Sequence, residues 1–466
     1  MQTDLLQKLR LGEKMNFSQQ LSLVAQLSVP AIMAQVSSVV MQYIDASMVG
    51  RLGANESASI GLISSSTWLF NGVCAAAVTG FTVLVAQKIG AGNNKQARNT
   101  MKQGYVVATT FAILLAFLGA VLSGVLPKWL GGGADIVPDA TKYFLVFVLS
   151  LPVVQINTMS SGMLQASGNM RLPSILHIVM CGLDVVFNSL LIFPGISIGG
   201  FWLPGANLGV LGAAVGTAAA QLVTAGLMTY FLLRKSPMLA VRKGEKLHFS
   251  TAELIQSAKI AIPVGAEQVI MCGAQMLSTK IIAPLGTIAI AANSFAVTAE
   301  SLCYMPGYGI ANAATTLIGQ SVGAGRKKLT RYLGWMTTLM GIGIMLIMGV
   351  LMYLAAPVMI GMLSPNAQVV ALGTQVLRIE AFAEPLYGAS IVASGVFRGA
   401  GDTLISSCFN FCSMWFIRLP LAAWWAPKIG LKGVWIAMCI ELCVRGIMFL
   451  IRLSQKGWSK KVLNEK

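Results

Sequence analysis

Seven carboxylates stand inside long apolar runs of this chain: Asp45, Asp184, Glu267, Glu300, Glu380, Glu384 and Glu441. Inside a bilayer each would cost roughly 3 kcal/mol or more unless paired or hydrated, so each is a candidate for binding an ion or a substrate. Asp184 and Asn188 are four residues apart and share a helical face. Asp45, Tyr143 and Thr217 come from three other apolar runs. Carboxylate, amide and hydroxyl oxygens converging where water is scarce would load a proton or hold a small hard cation. Burial favours the neutral carboxyl, and two close carboxylates favour sharing one proton. In the second half, Glu380 and Glu384 also share a face, and with Glu267 and Glu300 they predict an acidic patch for a cationic substrate. Glu441 and Arg445 are an i,i+4 pair expected to satisfy each other.

The elements that position these groups are membrane helices. Of 466 residues, 56% are hydrophobic and 11% charged, and the mean hydropathy is +0.73. A typical soluble chain carries about 25% charge. That composition excludes a soluble enzyme, a disordered chain and a nucleic-acid reader, despite a net charge of +17. The cysteines form no CxxC pair, and no HExxH, GxSxG or metal-ligand cluster suggests chemistry. A transporter without enzyme activity, cofactor or bound metal is expected, with the lipid bilayer as its surroundings.

A spanning helix needs about 20 mostly apolar residues. Twelve runs qualify: 23–48, 59–86, 103–127, 141–161, 172–194, 207–233, 257–282, 291–318, 331–355, 367–393, 403–425 and 431–452. Lysine and arginine orient them. With the N-terminus inside, 23 fall on the inner side and 5 on the outer, which places both termini in the cytoplasm by the positive-inside rule. The polar N-terminus lacks a signal peptide's apolar core and cleavage site, so the first span is expected to direct insertion. Asp45 lies 15 residues beyond Pro30, about 22 Å along the helix, in the outer half of the bilayer.

The two halves repeat at a constant offset of 233 residues. Pro30 matches Pro263, Gln87 matches Gln320, and Gly90-Ala91-Gly92 matches Gly323-Ala324-Gly325. Further on, Pro152 matches Pro385 and Gly168 matches Gly401. Residues 195–206 read as an extra loop in the first half. Six spans per half make the repeats parallel, a transporter architecture with the substrate site between two lobes. The expected organisation is a cytoplasmic amphipathic N-terminus (1–22), an N-lobe (23–233), a cytoplasmic linker (234–256), a C-lobe (257–452) and a basic tail (453–466). Pro30, Pro263 and Pro306 are candidate bending points, and MPGYG at 305–309 is expected to interrupt span 8.

These motifs resemble the MATE family of multidrug and toxic-compound extrusion transporters over residues 20–455. IDASMVGRLGANESASIGL (44–62), LVAQKIGAGNNKQA (84–97), LIGQSVGAGRKKL (317–329) and VASGVFRGAGDT (392–403) carry the likeness. It implies an all-α fold of twelve transmembrane helices, in two six-helix lobes related by pseudo-twofold symmetry and arranged as a V. It also implies export by alternating access, driven by H⁺ or Na⁺. In one branch the coupling site uses an Asp, a Tyr, an Asn and Asp four apart, and a Thr. Asp45, Tyr143 and Thr217 match, while Asp184 and Asn188 stand in reversed order. The other branch uses acids on helices 7 and 10. Met271 and Tyr387 hold those positions, with Glu267 and Glu384 about one turn away. The reading is a monomeric inner-membrane antiporter for amphipathic cationic compounds, with a lipid-linked precursor flippase or a channel as alternatives.

Overall fold

Where the sequence stays apolar, the chain has no alternative to helix, because each backbone N–H and C=O must find its partner inside its own segment. A computed structural model describes residues 2–11, 13–198, 201–242, 244–455 and 457–459. A short helix α1 (Gln2–Leu11) precedes α2 (Phe17–Gly50) and α3 (Ala54–Gly90). Then come α4 (Asn94–Leu122), the one-turn α5 (Leu126–Trp129), α6 (Val137–Ala166) and α7 (Arg171–Ile192). The expected extra loop is a hairpin of β1 (Gly195–Ile198) and β2 (Phe201–Pro204), antiparallel with Gly195 opposite Pro204. Helix α8 (Gly209–Tyr230) continues through a π-helical turn to Lys235. The second half comprises α9 (Thr251–Ile282), α10 (Thr287–Gly323), α11 (Lys327–Leu363), α12 (Ala367–Glu380) and α13 (Glu384–Ala400). It ends with α14 (Thr403–Ser413), a π-helical stretch to Arg418, α15 (Leu419–Ile429) and α16 (Leu431–Ser454).

Among the described residues, eleven helices are long and apolar enough to cross a membrane. The pair α12–α13 supplies the twelfth crossing, so the twelve-helix arrangement stands. Two expectations about breaks are corrected. Pro306 does not interrupt span 8, because α10 runs unbroken across it. The interruption falls instead in span 10, at residues 381–383, which end α12 and precede Pro385 in the first turn of α13. Proline is well accommodated there, where its missing N–H would have had no helical partner. Pro30 and Pro263 likewise lie inside continuous helices, α2 and α9.

By internal contacts the chain forms two compact units. One comprises Met1–Val36, Ala86–Gly92 and Ala266–Lys466; the other comprises Ser37–Val85 and Asn93–Gly265. In the first unit, Ala292, Ala296, Ala356, Ile360 and Trp435 belong to one buried cluster. The indole Nε1 of Trp435 donates to Asn293 Oδ1 at 3.0 Å, which satisfies its one buried polar atom. The same unit brings the repeated motif against itself. A Cβ on Gly90 would strike the backbone carbonyl of Gln320, and one on Gly323 would strike that of Gln87. Arg10 of α1 donates to Gln320 Oε1 at 3.2 Å beside this crossing. Gly92 and Gly325 make equivalent turns with φ of +76° and +72°.

In the second unit, Phe144, Val148 and Leu151 of α6 pack with Ile63 and Ala112. Phe70 meets Phe144 edge-on at 5.7 Å. The linker is stitched to the start of α4. Arg98 Nε donates to Glu245 Oε2 at 2.9 Å and Arg98 Nη2 to Oε1 at 2.6 Å, while Lys102 Nζ donates to the Glu245 carbonyl at 2.9 Å. The Arg98 hydrogen bond holds the Glu245 carboxyl below its ordinary pKa. The pair therefore adds stability above the usual carboxylate range and loses it only as pH falls through the lowered value. Glu245→Gln is expected to quicken amide exchange at 239–248 about tenfold at neutral pH, the size of a charge-assisted bond lost. Wild-type protection should hold from pH 7 down to about 4.3 and fall below it. Hydrogen exchange read by mass spectrometry checks both, and protection unchanged by Glu245→Gln would contradict the assignment.

Candidate functional site

Asp184 and Asn188 project from one face of α7 because they are one turn apart, and both are buried, at 0% and 1% exposure. Asn188 Nδ2 donates to Asp184 Oδ2 at 3.1 Å and to Asp45 Oδ1 of α2 at 3.0 Å. The two carboxyls lie within hydrogen-bonding reach of each other. Asp184 Oδ1 is buried with no hydrogen-bond partner among the described residues. One amide thus bridges two acids and leaves a carboxylate oxygen open, where a proton or a small cation has an acceptor.

Tyr143 of α6 is half-buried and packs with Val49 and Ile192. It lies within electrostatic reach of both aspartates but outside the hydrogen-bonded trio. Thr217 of α8 is half-buried and also outside the trio. Its neighbour Gly216 is the residue that matters for packing. A Cβ there would strike Asn188 Oδ1 and come within 3.1 Å of the Asn188 backbone nitrogen. Sequence reasoning missed this residue, since a glycine carries no chemistry of its own. Gly216→Ala is expected to turn the amide away and lose one or two bonds to charged groups, roughly 1.5–3 kcal/mol at the site. Transport in reconstituted vesicles should then drop at least about tenfold. An unaltered rate would show that the bridge is dispensable.

Of the four second-half acids, Glu300, Glu380 and Glu384 lie within electrostatic reach of one another, while Glu267 is engaged by other partners. Glu267 of α9 is held by Asn410 Nδ2 at 2.6 Å and Ser407 Oγ at 2.9 Å, with Arg398 Nη2 4.0 Å away. Glu380 and Glu384 flank the break between α12 and α13, both fully buried. All four of their carboxylate oxygens lack a hydrogen-bond partner among the described residues. Glu300 of α10, also buried, is within electrostatic reach of both. Tyr387 faces Tyr304 edge-on at 5.7 Å and lies under the Arg445 guanidinium at 5.5 Å. Met271 packs with Ala274, Met414 and Leu419 in an apolar cluster.

Glu441 and Arg445 pair as their spacing predicts, Nε to Oε1 at 3.0 Å. Arg418 adds a second ion pair to the same carboxylate at 2.9 Å. Arg445 Nη1 also donates to Asn410 Oδ1 at 3.4 Å, linking this network to Glu267. Arg418 lies at the end of a π-helical stretch in a different helix from Glu441, and no local spacing in the sequence could have pointed to it.

Two segments, residues 30–190 and 263–424, each match the MatE family model. They begin at Pro30 and Pro263, in the register of the internal repeat. The chain is 26% identical over 447 residues to the "Probable multidrug resistance protein NorM" of Thermotoga maritima, covering 94% of this chain and 93% of that one. It is 27% identical over 429 residues to the "Uncharacterized transporter YisQ" of Bacillus subtilis, covering 90% of each. Its fold is like that of the Vibrio cholerae MATE transporter VcmN in the bent form, with a TM-score of 0.84 at 19% identity over 94% of this chain and 97% of that one.

Proposed function

Given that this chain belongs to the MATE family of membrane transporters, we propose that it exports amphipathic cationic compounds in exchange for H⁺ or Na⁺. The bridge from Asn188 to Asp45 and Asp184, with one buried carboxylate oxygen open, is the observation that carries the coupling part of this reading. A proton or cation arriving there would neutralise one carboxyl and change how α2 and α7 are held together. Differential binding of this kind is what shifts a two-state protein between access states. Tyr143 adds a phenol within electrostatic reach, and Gly216 lets α8 press against the bridging amide.

The relatives' names support drug export as the direction of transport, and the twelve crossings support a plasma-membrane location. Basic loops support a cytoplasmic position for both termini. The unpartnered carboxylates of Glu380 and Glu384 favour a second role in the other half, as contacts for the positive charge of a substrate. Dye efflux from proteoliposomes separates the possibilities. One imposed gradient, of pH or of Na⁺, should drive efflux while the other does not. Efflux indifferent to both gradients, or steady current without either, would defeat the antiport reading.

A further inference from the structure

A pocket of about 610 Å³ opens where the approach to α2 meets the start of α11, and none of the seven carboxylates in the apolar runs lines it. Lys14, Arg326 and Lys328 supply its positive charge, and Phe17, Leu329 and Tyr332 an apolar face. Glu13 also lines it, and its backbone carbonyl accepts from Arg326 Nη1 at 3.2 Å. The cations thus outnumber the acid on a wall that is otherwise neutral.

The position of the pocket is as informative as its lining. Phe17 is the first residue of α2, and Arg326 directly precedes α11. Two spans therefore leave the membrane at its rim, which sets it at the depth of lipid headgroups. Among the described residues no side chain caps the start of α11, and its first backbone N–H groups have no partner within the helix. Phe17 and Tyr332 are 63% and 45% exposed, an arrangement suited to the interface, where aromatic rings sit at headgroup level. Free phosphate would use the charged wall and leave the apolar one bare. A phosphodiester with acyl chains attached uses both.

We propose that this pocket binds the headgroup of an acidic phospholipid from the adjacent leaflet. Lys14 and Lys328 face the phosphate, and Phe17, Leu329 and Tyr332 line the glycerol and the first methylenes. The bound lipid ties the segment before α2 to the start of α11.

Delipidated full-length protein in neutral detergent, titrated with phosphatidylglycerol and followed by native mass spectrometry, tests the site. Each lysine near an anionic headgroup contributes enough that Lys14→Gln with Lys328→Gln is expected to weaken binding about 30-fold. Both lysines are exposed, so the fold is not at stake. The same charge loss elsewhere, Lys95→Gln with Lys246→Gln, should change affinity by less than about twofold. Phe17→Ala with Tyr332→Ala should weaken lipid binding severalfold. Millimolar inorganic phosphate should not displace the lipid. Equal binding of phosphatidylcholine would overturn the proposal, as would equal losses in the two lysine pairs. Full affinity in the aromatic variant, or displacement by inorganic phosphate, would make the pocket an anion site and overturn it equally.

Discussion

Vesicles carrying the Asp45→Asn protein are expected to retain dye under either gradient as if no transporter were present. The substitution is close to isosteric, and an amide oxygen at position 45 still accepts from Asn188 Nδ2, now at 3.0 Å from Asp45 Oδ1. The trio should stay assembled, with stability changed by no more than about 1 kcal/mol. What disappears is a titratable, negatively charged group beside the wholly buried Asp184. One aspartate alone can still bind a proton, but the second carboxylate that would share it is gone. Asp184→Asn should give the same loss, because it removes the other member. The decisive measurement is gradient-driven efflux in proteoliposomes, with circular dichroism to confirm the fold. Retained coupling in Asp45→Asn would move the ion site away from α2 and α7.

Glu441→Gln is expected to be the most destabilising single change in the second half, by about 3–5 kcal/mol. Its side chain is wholly buried and faces Arg418 at 2.9 Å and Arg445 at 3.0 Å. Neutralising it leaves two guanidinium groups, themselves largely buried, without their counter-charge. Removing one partner of a buried ion pair is costly because the remaining charge is stranded, whatever the intact pair contributes. Replacing Glu441, Arg418 and Arg445 together by leucine and methionine should cost much less, since no charge is then left behind. Thermal unfolding in detergent compares the two variants. A Glu441→Gln protein that melts with the wild type would show that the network is hydrated.

The spans were legible because membrane burial imposes a requirement that each segment meets alone. Length and apolarity placed all twelve crossings, and constant spacing placed the repeat. Asp184 and Asn188 were legible for a similar reason: one helical turn puts them together without tertiary information. Pairing Asp45 with them rested on its depth in the outer half of the bilayer and on the family resemblance, since no local spacing joins two separate helices. Arg418 meets Glu441 across two helices, and Gly216 touches Asn188 only because α8 packs on α7. Such contacts leave no local pattern. Pro306 misled because proline in a long apolar helix costs one hydrogen bond without ending the helix. The real break at 381–383 sits ahead of Pro385, whose repeat counterpart Pro152 lies inside the continuous helix α6.

Gly90 resting on Gln320 and Gly323 resting on Gln87 are one contact made twice. Two copies of a single polypeptide would make that same pair of contacts across a twofold axis, each copy donating the glycine and receiving it. A half-length chain with one Gln-x-x-Gly motif would thus carry both sides of this contact, glycine and glutamine, in a single sequence. Joining two such chains keeps the seam and releases the rest from symmetry. Asp45 illustrates the outcome: its counterpart at the repeat offset is Ser278, so the acid stands in only one copy.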